Sequence, residues 1–369
     1  MEDLRVIIAA GGTGGHVFPA LALGEEIREQ FPDAEILFIG TNRGLEERVI
    51  PAAGFNLKTI RMSGIIRSVS PSDILRNILM PFKLFFGMIQ SLLILRRFKP
   101  CIVIGCGGYV TAPVVWLAAK MGVKILLQEQ NSRPGRTTLF LSKYANEVHL
   151  TYEDAKKFFK KQEKLKISGN PLRKGLQKID RNEAARFFGL HPNNKTLLLI
   201  GGSLGAHSIN MALLDIIGEL VQLNDINVLW QTGKSDFDHI ESNVRHERVK
   251  ILKFIDHMSA AYSISDIVLC RAGAMTLSEI TMMGLPSILV PYPYAAENHQ
   301  EFNAHSLVDR NAAIMIRNSE LKEKLKSLLF ELLTSSDKLK RMRQNSFALR
   351  QPDAAKKIVN SMRELLKIA

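Results

Sequence analysis

Short apolar runs recur along the chain and constrain its fold more than any other feature. They are Val6–Ala10, Glu35–Ile39, Ile102–Gly105, Lys124–Leu127, Thr196–Ile200, Asn227–Trp230, Asp266–Cys270 and Ser287–Val290, several closing on glycine. Their apolar residues are consecutive rather than alternating. This predicts strands covered on both faces, the habit of a parallel sheet in an α/β protein. Stretches of helical character separate many of the runs and supply the crossovers that parallel strands require. The 369 residues suffice for two domains of ordinary size. The lysine-rich stretch Lys156–Lys166, followed by Gly169-Asn170-Pro171, predicts a break within residues 165–175, and a second series of strands starts at Thr196. The expected architecture is two Rossmann-like halves.

The halves echo each other. Strand Ile7–Ala10 leads into Gly11-Gly12-Thr13-Gly14-Gly15-His16, and strand Leu197–Ile200 into Gly201-Gly202-Ser203-Leu204-Gly205-Ala206. A third turn, Gly105-Cys106-Gly107-Gly108-Tyr109, follows Ile102–Ile104. Glycine lets the backbone approach a ligand, and a following helix start offers N–H groups and a positive dipole end, so phosphate is the expected guest. The dinucleotide fingerprint is broken by Val17, and the second strand ends in Gly40-Thr41 instead of the acidic residue that grips an NAD ribose. Gly233-Lys234-Ser235 lacks the upstream glycine of a P-loop, since Val228 stands there. Gly201–Gly205 satisfies the G-x-S-x-G pattern of a hydrolase nucleophile elbow, with Asp266 and His299 available on paper. That reading leaves the N-terminal glycine turn without a role, so a phosphate contact for Ser203 is preferred. Asp236-Phe237-Asp238 has the spacing of a metal clamp, but such pairs usually mark a solvated loop or helix start, and no metal is expected.

Charge bears on partners. Lys and Arg number 49 against 36 Asp and Glu, a net +13, which suits nucleic acid, anionic lipid or phosphorylated substrates. Basic clusters interleaved with aromatics, or a recognition-helix motif, are missing, so nucleic acid drops out. Cys101, Cys106 and Cys270 fit no C-x-x-C spacing and are expected to be reduced thiols in a cytosolic protein. The N-terminus runs straight into a strand with no secretory signal, which predicts a protein on the cytoplasmic side.

The most apolar stretch, Ile78–Leu95, is interrupted by Pro81, Lys83, Gly87 and Gln90, and its uninterrupted part after Lys83 is too short to span a bilayer of roughly 30 Å. Ser70-Pro71-Ser72-Asp73 reads as a capped helix start. Helical phase places Phe82, Phe85, Phe86, Ile89, Leu92 and Leu93 on one face. Lys83, Gly87, Gln90 and Ser91 fall on the other, with Arg96, Arg97 and Lys99 behind. Such a helix either packs on its own sheet or lies on an anionic lipid surface.

The motifs GGTGGHVFPALAL, GCGGYVTAP, QEQN, GNPLR, GGSLGAHSIN, FID, CRAGAMTLSE and ENHQEFNA, spanning residues 6 to about 304, resemble those of the MurG family and occur in its order. That family comprises the bacterial UDP-N-acetylglucosamine:lipid I N-acetylglucosaminyltransferases of peptidoglycan synthesis. The resemblance implies the GT-B fold, two Rossmann-like parallel-sheet domains facing a central cleft, with no metal or cofactor. It implies an acceptor and membrane domain over residues 1–166 and a UDP-GlcNAc domain over 167–349. Gln351–Ile368 resembles the family's last helix, so residues 350–369 are expected to pack back on the first domain.

Roles follow by the same resemblance. Glu279 matches the ribose-binding carboxylate, and Ile255 the residue whose backbone reads the uracil edge. Ser203 with its glycines, Arg173, and the turn of Ala274, Met275, Thr276, Leu277, Ser278 and Glu279 match the diphosphate contacts. Gln300 matches a ligand of donor-sugar hydroxyls, and His299 stands where some relatives have glutamine. Asn131, Thr13, Gly14 and Gly15 match residues that close over the donor. The inverting step that the resemblance implies needs a general base near the acceptor hydroxyl, and His16 is the candidate, a task that an imidazole suits. The alternative is a helix-start histidine that hydrogen-bonds a phosphate or orients the loop. Gly107, Gly108 and Tyr109, with Gly14 and Gly15, would hold the acceptor diphosphate. Leu204 and Ala272 depart from commonly polar positions. The reaction implied is inverting transfer of GlcNAc from UDP-GlcNAc to the 4-hydroxyl of the MurNAc of lipid I. The alternative is another GT-B UDP-sugar transferase with a different acceptor. The lipid-linked acceptor favours the membrane reading of residues 75–99, through Leu75, Leu79, Phe82, Lys83, Phe85, Phe86, Arg96 and Arg97 against anionic inner-leaflet lipids. The implied location is peripheral, on the cytoplasmic face of the inner membrane.

Overall fold

The computed structural model describes residues 4–42, 44–62, 80–202 and 204–368. Ser203, Leu75, Leu79 and the expected helix start at Ser70–Asp73 lie outside the described residues. The chain forms two compact units, Met1–Lys174 with Asp353–Ala369, and Gly175–Pro352.

The first unit is built on a seven-stranded sheet. Its strands are β1 (Arg5–Ala9), β2 (Glu35–Thr41), β3 (Asn56–Ile60), β4 (Ile102–Gly105), β5 (Lys124–Glu129), β6 (Glu147–Leu150) and β7 (Leu165–Ile167). They lie in the order β3-β2-β1-β4-β5-β6-β7, every pair parallel. β1 sits between β2 and β4, with Val6 opposite both Ile36 and Ile102. Its side chains alternate between two cores. Ile7 and Ala9 join Val114, Val115 and Ala118 of helix Thr111–Lys120 on one face. Val6 and Ile8 join Val17, Ala20, Leu23 and Ile27 of helix Gly14–Gln30 on the other. This double cover is why the strand reads as an unbroken apolar run.

The second unit holds a six-stranded sheet. Its strands are β8 (Lys195–Ile200), β9 (Ile226–Gln231), β10 (Val249–Leu252), β11 (Ile267–Cys270), β12 (Ser287–Leu289) and β13 (Ala313–Met315). The order is β10-β9-β8-β11-β12-β13, again parallel throughout. In each sheet the chain first moves outward on one side of its first strand, then returns to build on the other. The switch points lie between β1 and β4 and between β8 and β11, where α/β sheets open a crevice at the strands' carboxyl ends.

The apolar runs mark central strands. Three edge strands, β3, β7 and β10, are not among them, because each keeps one face partly in water and mixes lysine or asparagine into the run. The edge strand β13 and the inner strand β6, which carries Glu147 and His149, are absent from them too. The expected first-unit limit at 166 needs correction: β7 is the outermost strand of the first sheet, so the unit continues to Lys174. The lysine-rich stretch forms two 3-10 turns, Glu153–Phe158 and Gln162–Lys164, leading into that strand. The last helix, Ala354–Leu366, belongs to the first unit, where Ile358, Val359 and Met362 enter the core beside helix Gly14–Gln30.

Helix Met80–Phe98 packs its small-residue face inward. Gly87, Ser91 and Leu95 are buried, and a Cβ at Gly87 would stand 2.9 Å from the Met62 sulfur. The opposite face leaves Phe82 64%, Phe85 62%, Phe86 56% and Leu93 61% exposed, whereas Leu92 is half-buried.

A polar cluster ties the last helix to β6 and β7. The buried His149 ring meets Glu147 Oε2 at 3.2 Å and Ser168 Oγ at 2.6 Å. Lys166 Nζ reaches Glu147 Oε1 at 2.8 Å and Ser361 Oγ at 2.6 Å. Burial pushes the Glu147 carboxyl up, but hydrogen bonds from His149, Lys166 and Ser361 outweigh it and hold it down at about 2. Burial of His149 lowers its pKa from 6.5, despite the neighbouring carboxylate. Both groups therefore bind protons more readily unfolded than folded. The His149 contribution is lost as pH falls through the region below 6.5, and that of Glu147 as pH falls from 4.5 towards 2. Glu147→Gln is expected to lower the melting temperature at pH 7 by roughly 2–8 °C, the equivalent of about 1–2 kcal/mol. It should also narrow the gap between melts at pH 7 and pH 4; an unchanged gap would show that this carboxylate does not carry the acid sensitivity.

Candidate active site

In the first unit, the expected residues Thr13, Gly14, Gly15, His16, Gly107, Gly108, Tyr109 and Asn131 all follow the carboxyl ends of β1, β4 or β5. Gly12 has φ +94°, Gly107 +97° and Gly108 +81°, all in the left-handed region. A Cβ at Gly108 would stand 2.3 Å from Gly11 O, and one at Gly107 2.6 Å from His16 Nδ1. The two glycine turns thus dock backbone against backbone across the switch point, and the imidazole lies over Gly107. Thr111 Oγ1, 2.7 Å from Gly107 O and 3.2 Å from Ala9 O, secures the third turn to β1.

Two buried carboxylates hold this rim. Glu46 accepts from Thr41 N at 2.9 Å and Thr41 Oγ1 at 2.7 Å, and it meets Gly12 N at 3.4 Å beneath the first turn. Glu129 accepts from Asn131 N at 3.0 Å and Asn131 Nδ2 at 3.2 Å through one oxygen, and from Gly135 N at 3.1 Å through the other. His16, in the first turn of helix Gly14–Gln30, sets Nδ1 3.0 Å from Gln130 Oε1.

The second unit repeats the device. Gly205 and Gly233 have φ +82° and +79°. A Cβ at Gly205 would come 2.1 Å from Thr232 O, and one at Gly233 2.4 Å from Leu204 O, so the loop after β8 docks on the loop after β9. Gly202, φ +84°, faces open space, and Leu204 is exposed. Gln231 joins this loop to the next, donating to Gly202 O at 2.9 Å and accepting from Ile255 N at 2.9 Å. A uracil read through the Ile255 N–H must therefore displace the Gln231 amide.

Helix Ala274–Met283 starts directly after Gly273 beyond β11, and Leu277 N is the first to bond back, to Gly273 O at 3.0 Å. The preceding N–H groups of Ala274, Met275 and Thr276 form the positive end of the helix dipole. Ser278 Oγ donates to Ala274 O at 2.9 Å, so that hydroxyl serves the helix itself. Glu279 is buried and accepts from Tyr262 Oη at 2.8 Å. Gln300, at the start of helix His299–Val308, accepts from Tyr292 N at 2.9 Å, which turns its amide nitrogen away from that contact. His299 Nδ1 faces Ala296 O at 2.7 Å. Ala272 is buried, and Arg173 is exposed near the end of the first unit's main segment.

The competing chemistries do not assemble. Asp266 precedes β11, at the opposite end from the loop after β8, and is bound by Arg181 at 2.7 Å and Thr196 N at 2.9 Å. Asp236 is buried against His207 and Asn210, whereas Asp238 is exposed beside Lys253, so the pair does not converge. The roles of Glu46, Gln130, Gln231 and Tyr262 were not read from sequence. Gln130 sits inside the quoted QEQN motif, but only the fold brings it to His16, 114 residues away.

Two parallel-sheet units with glycine turns at their switch points define a GT-B-type α/β protein equipped to receive anionic groups at strand ends. Residues 6–150 match the glycosyltransferase family 28 N-terminal domain, and residues 196–358 match that family's C-terminal domain. A relative from Flavobacterium psychrophilum is 38% identical over 369 residues, covering 100% of this chain and 99% of its own. Another from Desulfitobacterium hafniense is 41% identical, covering 97% and 98%. Both are named UDP-N-acetylglucosamine–N-acetylmuramyl-(pentapeptide) pyrophosphoryl-undecaprenol N-acetylglucosamine transferase. The crystal structure of Acinetobacter baumannii MurG superposes with a TM-score of 0.79 at 28% identity, covering 98% of this chain and 99% of that one. The chain belongs to glycosyltransferase family 28, among the MurG transferases.

Proposed function

We propose that this chain transfers GlcNAc from UDP-GlcNAc to the MurNAc 4-hydroxyl of undecaprenyl-pyrophosphoryl-MurNAc-pentapeptide, forming a β-1,4 bond and releasing UDP. The full-length identity with transferases of that name carries the reading. The geometry of each unit fits it. In the second unit, Glu279 takes the ribose hydroxyls, the carbonyl side of Ile255 meets uracil, and the loop around Ser203 and the N–H groups of 274–276 receive the diphosphate. Arg173 adds positive charge for the departing UDP. Gln300 offers its amide nitrogen to the donor sugar. In the first unit, Gly14, Gly15, Gly107, Gly108 and Tyr109 hold the acceptor diphosphate, while Thr13 and Asn131 serve the donor side.

His16 is the general base. Its unprotonated nitrogen takes the proton of the 4-hydroxyl as that oxygen attacks the anomeric carbon, and the C1–O bond breaks with its electron pair leaving on UDP. Attack from the face opposite the leaving group converts the α-linked donor into a β-linked product. With labelled UDP-GlcNAc and a shortened-chain lipid I analogue, the purified chain should release UDP and form the β-1,4 disaccharide in equal amounts. Folded protein that forms neither contradicts the assignment.

The same reading places the chain peripherally on the cytoplasmic face of the inner membrane. Among the described residues, no helix is long and apolar enough to cross a membrane. Support comes from the outward phenylalanines of helix Met80–Phe98, with Lys83 beside them and Arg96 and Arg97 exposed at its end. Phe85→Asp combined with Phe86→Asp should weaken binding to anionic phospholipid vesicles at least tenfold without lowering the melting temperature. Undiminished vesicle binding would remove this helix from the membrane contact.

A further inference from the structure

His16 has two ring nitrogens, and base catalysis needs the one facing the acceptor to be unprotonated. The residue that makes this choice is at the end of β5. Gln130 is buried, with Oε1 3.0 Å from His16 Nδ1. Which end of an amide is oxygen is ordinarily settled by its partners. Here the main-chain carbonyl of Cys106, 2.7 Å from Gln130 Nε2, can only accept, so it must face the NH2 group. Gln128 supplies a second acceptor to the same nitrogen through its own Oε1, and its Nε2 lies 3.4 Å from Asn170 Oδ1. The carbonyl end of Gln130 is thereby turned to the imidazole.

We infer that Gln130 is a positioning residue that holds the proton of His16 on Nδ1 and leaves the Nε2 lone pair for the acceptor hydroxyl. The proposal rests on the reading of His16 as the base. A hydrogen bond from Nδ1–H to a fixed carbonyl oxygen selects the tautomer and the ring angle, the service an aspartate gives the histidine of a hydrolase triad. Gly107 completes the arrangement, since any Cβ there would stand 2.6 Å from Nδ1. When Nε2 takes the hydroxyl proton, the Nδ1–H bond to Gln130 persists, so the ring need not turn during the reaction. Because the amide is neutral, the resulting imidazolium has no paired anion at Nδ1 and passes its proton on to solvent. The ionisable groups on the elements around it are bound elsewhere or, for the Cys106 thiol, held neutral by burial. Glu46 is bound to Thr41 and Gly12, Glu129 to Asn131 and Gly135, and burial pushes the Cys106 thiol pKa up. Tyr109, a phenol, borders Gly12.

The test uses full-length protein labelled with 15N-histidine, with the His16 signals among the nine histidines assigned by comparison with His16→Gln. Wild type should show Nδ1 protonated and Nε2 bare at a pH where the ring is neutral. Gln130→Leu should populate the Nε2–H form and lower kcat at least tenfold, with the KM for UDP-GlcNAc unchanged. Gln130→Glu keeps an acceptor at Nδ1 and, protonated on the oxygen that faces Cys106 O, should retain the Nδ1–H form and restore most of the kcat that Gln130→Leu loses. A merely structural glutamine would leave the tautomer unchanged in Gln130→Leu. An Nε2–H ring in the wild type, or Gln130→Leu with wild-type kcat, overturns the proposal. An Nδ1–H ring combined with full turnover in His16→Ala upholds the tautomer assignment and overturns the base reading instead.

Discussion

Close approach of one main chain to another, possible only where there is no Cβ, is the contact on which both sites depend. In the first unit the third glycine turn rests on the first through Gly108 and Gly11 O; in the second, Gly205 and Gly233 rest on Thr232 O and Leu204 O. These contacts fall beside the switch points of the two sheets. Side chains there would hold the loops apart and crowd the N–H groups at these strand ends. The parallel strands deliver the turns to one edge, and the glycines let them close on each other.

Around that backbone frame the polar residues are largely occupied with fixing loops. Glu46 and Glu129 are acidic residues beside candidate anion sites, yet both turn their oxygens to main-chain N–H groups and so act as braces. Gln231 links two loops of the second unit in the same way, and Tyr262 fixes the Glu279 carboxylate. Preorganisation of this kind lets the N–H groups meet developing charge without rearranging first.

Much of this was legible in the chain. Most central strands announce themselves because both faces are covered, and the glycine turns because several of their positions are left-handed or leave no room for a Cβ. Edge strands such as Asn56–Ile60 and Leu165–Ile167 are half-wet, which hides them, and the second of these moves the domain limit from 166 to Lys174. Helix Met80–Phe98 left two readings open, since periodicity identifies an apolar face without saying where it points. Burial of Gly87, Ser91 and Leu95 fixes the inner face and turns the phenylalanines outward. The link between Gln130 and His16 could not be read at all, because it depends on two loops brought together by strand order.

The proposed division of labour gives nucleotide binding to the second unit and proton transfer to the first. UDP affinity by calorimetry, measured beside turnover on the same preparations, tests it most directly. His16→Ala should leave UDP affinity within about twofold of wild type while turnover falls by about 10²–10⁴. Glu279→Ala should weaken UDP binding by at least tenfold if the carboxylate bonds the ribose as proposed. Parallel loss of affinity and turnover in His16→Ala, or unchanged UDP affinity in Glu279→Ala, would contradict the account.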